Sequence, residues 1–396
     1  MVELDGQDAA VVDAHCHGWH LAELQARPPQ TFPQRLSITG MFLSSSGQGA
    51  QNYSTILTAM SELDPLVSTA ISRLARHLDC EPTPAAVSAT RQRRLAADPG
   101  GYLTGLWQDA HVTGLFVDDG YPQPRVDPKD FSREIGVAVH QVARSDVAIE
   151  HQMRDAISYD DLADAFADWV SNAARSGAVA FKSVIAYRTG LDVRSWSRQE
   201  AAGAFLNWRR AGFALDCAAA KPVRDSLLER LLAVCKEIGR PVHIHSGAGD
   251  PSMALDQARP TLLFGLLGRH RDQPIVLVHA GWPWLEDAAY LGSAFPNVYL
   301  ETSVTTPWSS LALDRRLELI LGMVSPAKVL HGTDEATEPE LIWLGAHVAK
   351  EALARVLRKA VSDDWYTEGQ AQAVIGGVLS GNALRLHGLP LSGAVA

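Results

Sequence analysis

The chain has 396 residues, 46% of them hydrophobic and 20% charged, with a formal net charge of −10. That length suits an α/β barrel with insertions, and the acidic balance, spread without long blocks, argues against a nucleic-acid partner. Cys16, Cys80, Cys217 and Cys235 are scattered without CxxC spacing, which fits a reducing cytoplasm rather than a disulfide framework.

The first strand candidate, Val11–His15, runs into Ala14-His15-Cys16-His17. Two histidines at i and i+2 on an extended segment point to the same face, because side chains alternate with period two. Adjacent imidazoles at a strand end can hold a divalent metal. About ninety residues then separate this strand from the next, far more than a plain βα unit needs. Within them Tyr53–Cys80 and Ala85–Ala97 show helical periodicity, with Pro82 and Pro84 between. We expect one barrel domain over 1–396 with a helical insertion at about 20–110. In a barrel that insertion emerges at the catalytic face, as substrate lid or as structural decoration. Arg91-Gln92-Arg93-Arg94 reads as a solvated helix face.

Seven further β-branched runs follow: Val112–Val117, Val137–Val142, Ala178–Tyr187, Pro241–His245, Ile275–His279, Val298–Glu301 and Val329–His331. Helical periodicity marks Val223–Ile238 and Ala346–Ala360, the latter with Lys350, Arg355 and Arg358 on its polar side. Eight strands alternating with helices predict a (β/α)8 TIM barrel of the α/β class. The N-terminal MVELDGQDAA lacks a signal peptide's basic start and apolar core. No apolar run approaches the ~18 residues of a membrane span. We expect a soluble cytoplasmic protein with no membrane partner and a homodimer as default assembly.

Chemistry-bearing residues sit where these strands end: His15 and His17, then Lys182, His243 and His245, His279, and Asp334. A barrel draws its catalytic groups from there, and histidines with an aspartate suit zinc or a similar metal. Lys182 in an apolar strand is costly unless partnered. A pairing with Glu301 or a contact with an anionic substrate would each meet that cost. Arg188, in the Tyr187-Arg188-Thr189-Gly190 loop, suits a bidentate carboxylate contact or a structural ion pair. Trp19 follows the histidine pair and is placed to pack over a substrate. Trp282 is expected in the pocket wall. The histidines at 20, 77, 111, 140, 151, 270, 347 and 387 read as ordinary helix or loop residues.

DAHCH at 13–17, HIHSG at 243–247, VLVHAGW at 276–282, VLHGTDE at 329–335 and VLSGNALRLHGL at 378–389 together resemble the amidohydrolase superfamily of metal-dependent barrels. FKSVIAYRTGL at 181–191 and the long run at 279–303 look closest to the branch with nodulin-like domains fused to glutamine synthetase. The resemblance implies that His15, His17 and His245 bind metal. His279 would be a second-metal ligand or a polarising acid, and Asp334 a ligand and general base. It adds a third role for Lys182, a carbamate bridging two metals. His243 and Glu335 depart from the branch's pattern. His243 is open as ligand, substrate contact or core residue, and Glu335 as substrate contact or helix cap. Tyr187 and Arg188 are further expected substrate contacts. The expected cofactor is Zn2+, with Mn2+, Fe2+ or Co2+ as alternatives, one ion or two. The expected reaction is hydrolysis of an amide-like C–N bond in a small carboxylate-bearing substrate, by analogy a γ-glutamyl or related amide. A metal-dependent decarboxylase of a small aromatic acid is the alternative. A non-catalytic scaffold is disfavoured, because every expected position holds a competent residue.

Overall fold

The computed structural model describes residues 4, 6–45, 54–215 and 217–391. Tyr53, the expected start of a helix, and residues 1–3 and 5 of the N-terminal stretch lie outside them. Eight strands form one parallel sheet in chain order: β1 Val11–His17, β2 Val112–Asp118, β3 Ala138–Arg144, β4 Ala180–Ser183, β5 Val242–His245, β6 Ile275–Val278, β7 Val298–Glu301 and β8 Val329–Leu330. The Ala14 N–H donates to the His331 carbonyl at 2.8 Å and the Asp334 N–H to the His15 carbonyl at 2.8 Å, so β8 returns to β1 and the sheet closes. This is the expected (β/α)8 barrel.

A closed parallel sheet is buried on both faces, which is why these strands are nearly continuous apolar runs. Leu115, Phe181, Ile244, Leu277 and Leu300 pack outward against the helices. Val12, Ala14, Phe116, Val142, Ala180, Val276 and Leu330 fill the lumen, joined by Ala383 and Leu384 of the C-terminal segment. β1 carries a register break between Asp13 and Cys16. Such a bulge re-aims the residues beyond it.

The strand expected over Ala178–Tyr187 is shorter, because a 3-10 turn at Ile185–Tyr187 ends it and swings Tyr187 over the barrel mouth. The helix expected over Tyr53–Cys80 is two, Ser54–Leu63 and Pro65–Leu78. Asp64 caps the second by accepting the Leu66 N–H at 2.8 Å, and Pro65 occupies its first turn. The Arg91 reading is corrected. Its side chain is 1% exposed, donates to Glu340 (2.5 Å) and Glu338 (2.6 Å), and lies over the Phe32 ring. Arg27 and Arg35 reach the same Glu338, so three arginines tie the helices after β1 to the start of the long helix Pro339–Ser362. Lys350 is also buried rather than solvated. Its ammonium donates to the carbonyls of Gln7 (2.6 Å) and Ala110 (3.0 Å), the latter ending the helix Pro99–Ala110. Among the described residues no helix is long and apolar enough to cross a membrane.

Candidate active site

At the carboxyl end of the strands lies a cavity of about 260 Å³. His15, His17, Lys182, Tyr187, Arg188, His245, His279 and Asp334 all line it, as do Met41 and Phe42 from the helix Ile38–Ser45. The helices inserted after β1 therefore reach the site.

The bulge in β1 leaves both imidazoles turned to one carboxylate. His15 Nε2 is 3.1 Å and His17 Nε2 3.4 Å from Asp334 Oδ1. Donor atoms of these three residues lie within 4.8 Å of one another. His245 and His279 form a second set, with His245 Nδ1 3.0 Å from His279 Nε2. Lys182 Nζ, 3.1 Å from His15 Nε2, stands beside the first set. The expected ligands thus converge, as two groups.

Burial, reinforced by Lys182, pushes the His15 imidazole down to about 4. Burial and neighbouring cations hold His245 and His279 well below their ordinary value. A neutral imidazole keeps the lone pair that a metal needs. Asp334 stays far below the usual carboxylate range, because His279, His15 and His17 outweigh its burial. His15 Nδ1, His17 Nδ1 and His245 Nε2 are buried with no hydrogen-bond partner. Buried polar atoms are rarely left so. Neutral His15, His245 and His279 beside an ionised Asp334 fit a divalent cation.

Lys182 does not pair with Glu301. Glu301 is occupied by the N–H groups of His279 (3.2 Å) and Ser303 (2.5 Å) and by the Ser303 hydroxyl (2.5 Å). Burial lowers Lys182 below the usual ammonium value, against the pull of Asp118. His279 (φ +67) and Asp334 (φ +60) both adopt the left-handed backbone region, a strain that surrounding structure must hold in place.

Of the expected substrate contacts, Tyr187 and Arg188 line the cavity. The Tyr187 hydroxyl accepts the Asp250 N–H at 3.1 Å and would clash with any side chain at Gly249. Arg188 Nε is held by Glu150 at 2.8 Å, the ion-pair alternative for this residue. The other four expected contacts lie elsewhere. His243 is fully buried lower in the lumen, its Nε2 2.9 Å from that of His387. Trp19 is 2% exposed and packs edge-on against Phe131. Trp282 lies under Arg316 outside the cavity lining. Glu335 accepts the N–H groups of Thr337 (2.5 Å) and Glu338 (2.6 Å), holding the turn ahead of Pro339–Ser362 without capping that helix.

Sequence reasoning passed over three residues. Asp13 accepts the His15 N–H (3.1 Å) and the Thr333 hydroxyl (2.5 Å), lashing β1 to the loop that carries Asp334. Arg144, at the end of β3, lines the cavity with Nε fixed by Asp118 at 2.9 Å. Ser303 accepts from or donates to His279 Nδ1 at 2.8 Å. The only sequence signal for Asp13 is its place in DAHCH, and Arg144 and Ser303 carry none.

Fold and site together define a (β/α)8 enzyme barrel with a metal-competent centre at its catalytic face. The chain belongs to the amidohydrolase family, whose profile matches residues 12–389. Protein fluG of Emericella nidulans is 31% identical over 235 residues, 57% of this chain. Those residues make up 27% of fluG, so the match spans about a quarter of that relative. A Lactobacillus casei protein assigned as a metal-dependent hydrolase superposes with a TM-score of 0.80 at 22% identity, covering 96% of both chains. A Thermotoga maritima uronate isomerase gives 0.68 at 14% identity, covering 96% of this chain and 95% of its own. These identities speak to the fold alone. The family uses divalent metals, consistent with the donor sets described above.

Proposed function

We propose that this protein is a metal-dependent hydrolase that cleaves an amide-like C–N bond in a small, carboxylate-bearing substrate, such as a γ-glutamyl or other amino-acid amide. The observation that carries this reading is the convergence of His15 Nε2 and His17 Nε2 on Asp334 Oδ1 beside a small cavity. His15, His17 and Asp334 would hold one divalent cation, and His245 with His279 a second. We read zinc as the first candidate, ahead of manganese, iron and cobalt. A bound cation polarises the scissile carbonyl and lowers the pKa of water toward ~7.

Asp334 takes the proton from the attacking water. Its Oδ1 faces the two histidines, so Oδ2 is the oxygen left for this transfer. The water oxygen bonds the carbonyl carbon, the C–N bond breaks, and Asp334 passes the proton to the departing nitrogen. An acid and an amine result. Arg144 and Arg188 supply guanidinium groups for the substrate's carboxylate. Met41 and Phe42 cover the cavity and exclude water. Lys182, lowered to about 8, holds a larger share of neutral amine than a free lysine, the form that adds carbon dioxide and releases a proton to become a carbamate. We read the chain as a single barrel domain whose helices at 21–97 act as the lid.

The test is metal analysis of the purified protein with assay on a panel of amino-acid amides, before and after chelation. Amide cleavage that chelation abolishes and metal restores is expected, and Asp334→Asn should lose about 10²–10⁴-fold of it. Carbon dioxide release from an aromatic acid, with no amide cleaved, would replace this reading with the decarboxylase.

A further inference from the structure

One wall of the cavity carries an acid and a guanidinium on either side of an aromatic ring in the chain of contacts. The Tyr187 ring meets that of His245 edge-on, with centroids 4.7 Å apart. Its hydroxyl accepts the Asp250 N–H at 3.1 Å, and Arg188 is the next residue along the chain. Gly249 permits this approach, because a Cβ there would fall 1.6 Å from the Tyr187 hydroxyl. Tyr187, Arg188 and Asp250 all line the cavity.

Both charged groups are fixed on one side and open on the other. Asp250 Oδ1 accepts the Ser252 N–H at 2.9 Å and the Ser252 hydroxyl. Arg188 gives its Nε to Glu150 at 2.8 Å, and Arg224 Nη2 steadies the same oxygen at 3.3 Å. Among the described residues, Asp250 Oδ2 and the Arg188 Nη1 and Nη2 groups have no partner. That leaves one carboxylate oxygen and one complete guanidinium edge. Arg144 differs, because Asp118 takes both its Nε and its Nη2. Only Nη1 is left there, so a two-point grip on a carboxylate falls to Arg188.

Among the described residues, no ion pair joins Asp250 to Arg188 or Arg144, although all three border one cavity of about 260 Å³. Opposite charges held apart in so small a space suit a ligand that carries both. We propose that Asp250 and Arg188 form a recognition site for the zwitterionic head group of an α-amino acid. The ammonium meets Asp250 Oδ2, and the carboxylate meets the two Nη groups of Arg188. This rests on the hydrolase reading for where the amide lies, but head-group binding stands whatever bond is cut. A ligand lacking the amine brings only negative charge to Asp250, and one lacking the carboxylate leaves Arg188 unfilled, so each is rejected.

The test is equilibrium binding of L-glutamate, glutarate and 4-aminobutyrate to the full-length protein as purified. L-Glutamate carries the head group and no amide, so binding is read without turnover. Glutarate lacks the α-amine and 4-aminobutyrate the α-carboxylate. L-Glutamate should bind at least about 10-fold more tightly than either. Asp250→Asn should remove the preference over glutarate and leave glutarate bound no more weakly. Arg188→Gln should remove the preference over 4-aminobutyrate and leave that ligand unchanged. Each retained ligand shows that its variant is folded. L-Glutamate bound no more tightly than glutarate, or a preference that survives Asp250→Asn, would overturn the proposal. A head-group preference that both variants abolish as expected, in a protein that cleaves no amide, would count against the hydrolase reading alone.

Discussion

His243 and His245 lie two residues apart on β5, face the same lumen, and meet opposite fates. At the amino end of the barrel His243 is closed off. His387, delivered by the C-terminal helix Asn382–Leu386, meets its Nε2 at 2.9 Å and uses its own Nδ1 on the Ala383 carbonyl at 2.7 Å. Phe116 packs on the His387 ring, and Ala383 and Leu384 complete the plug. At the carboxyl end His245 borders open space and keeps a buried nitrogen with no partner. Both imidazoles are neutral through burial. Neutrality alone does not make a ligand. Each ring keeps one buried nitrogen with no partner, Nδ1 on His243 and Nε2 on His245, but only His245 borders the cavity with His279 beside it.

The largest expected contrast comes from metal loading. A divalent ion at about 1,000 times its Kd should stabilise the fold by ~4 kcal/mol, read as a rise in Tm that chelation reverses. His15→Ala should abolish most of that rise and His243→Leu should keep it. A rise lost in His243→Leu and kept in His15→Ala would place the cation at the wrong end.

Acid should strike the closed end next. Burial holds His387 down to about 4, against 6.5 for a free histidine. The unfolded chain therefore binds more protons than the folded one between these values. Stability should fall as pH drops through that window, by up to ~3 kcal/mol from this group. Urea unfolding of wild type and His387→Leu at pH 7, 5.5 and 4.5 measures it. An equally steep profile in the variant would remove His387 as a source of the slope.

The smallest effect separates folding from chemistry. His243→Leu leaves His387 Nε2 buried without a partner, a cost of about 1–3 kcal/mol. Turnover per folded molecule should not change. A fall in turnover at constant folded fraction would return His243 to the catalytic set.

The strand order was legible because a closed parallel sheet demands apolar runs on every strand, and each expected run contains or overlaps an observed strand. The candidate ligands were legible because HxH and the strand-end histidines and aspartate sit where a barrel collects its chemistry. Other roles depended on partners far along the chain. Arg91 and Lys350 looked solvated by helical position, yet Glu338, Glu340 and two carbonyls draw them inside. Glu301 looked like a mate for Lys182, but two backbone N–H groups and a hydroxyl reach it first. His387 looked like an ordinary terminal residue until the chain folded back under the barrel.

Periodicity and residue type alone determined the barrel and the atoms able to bind metal, because both follow from local backbone geometry and side-chain chemistry. Only the tertiary structure decided which of those atoms stay unpaired and how the donors divide into two sets. Each of those outcomes turns on contacts of about 3 Å between residues tens to hundreds of positions apart, a distance that sequence spacing does not encode.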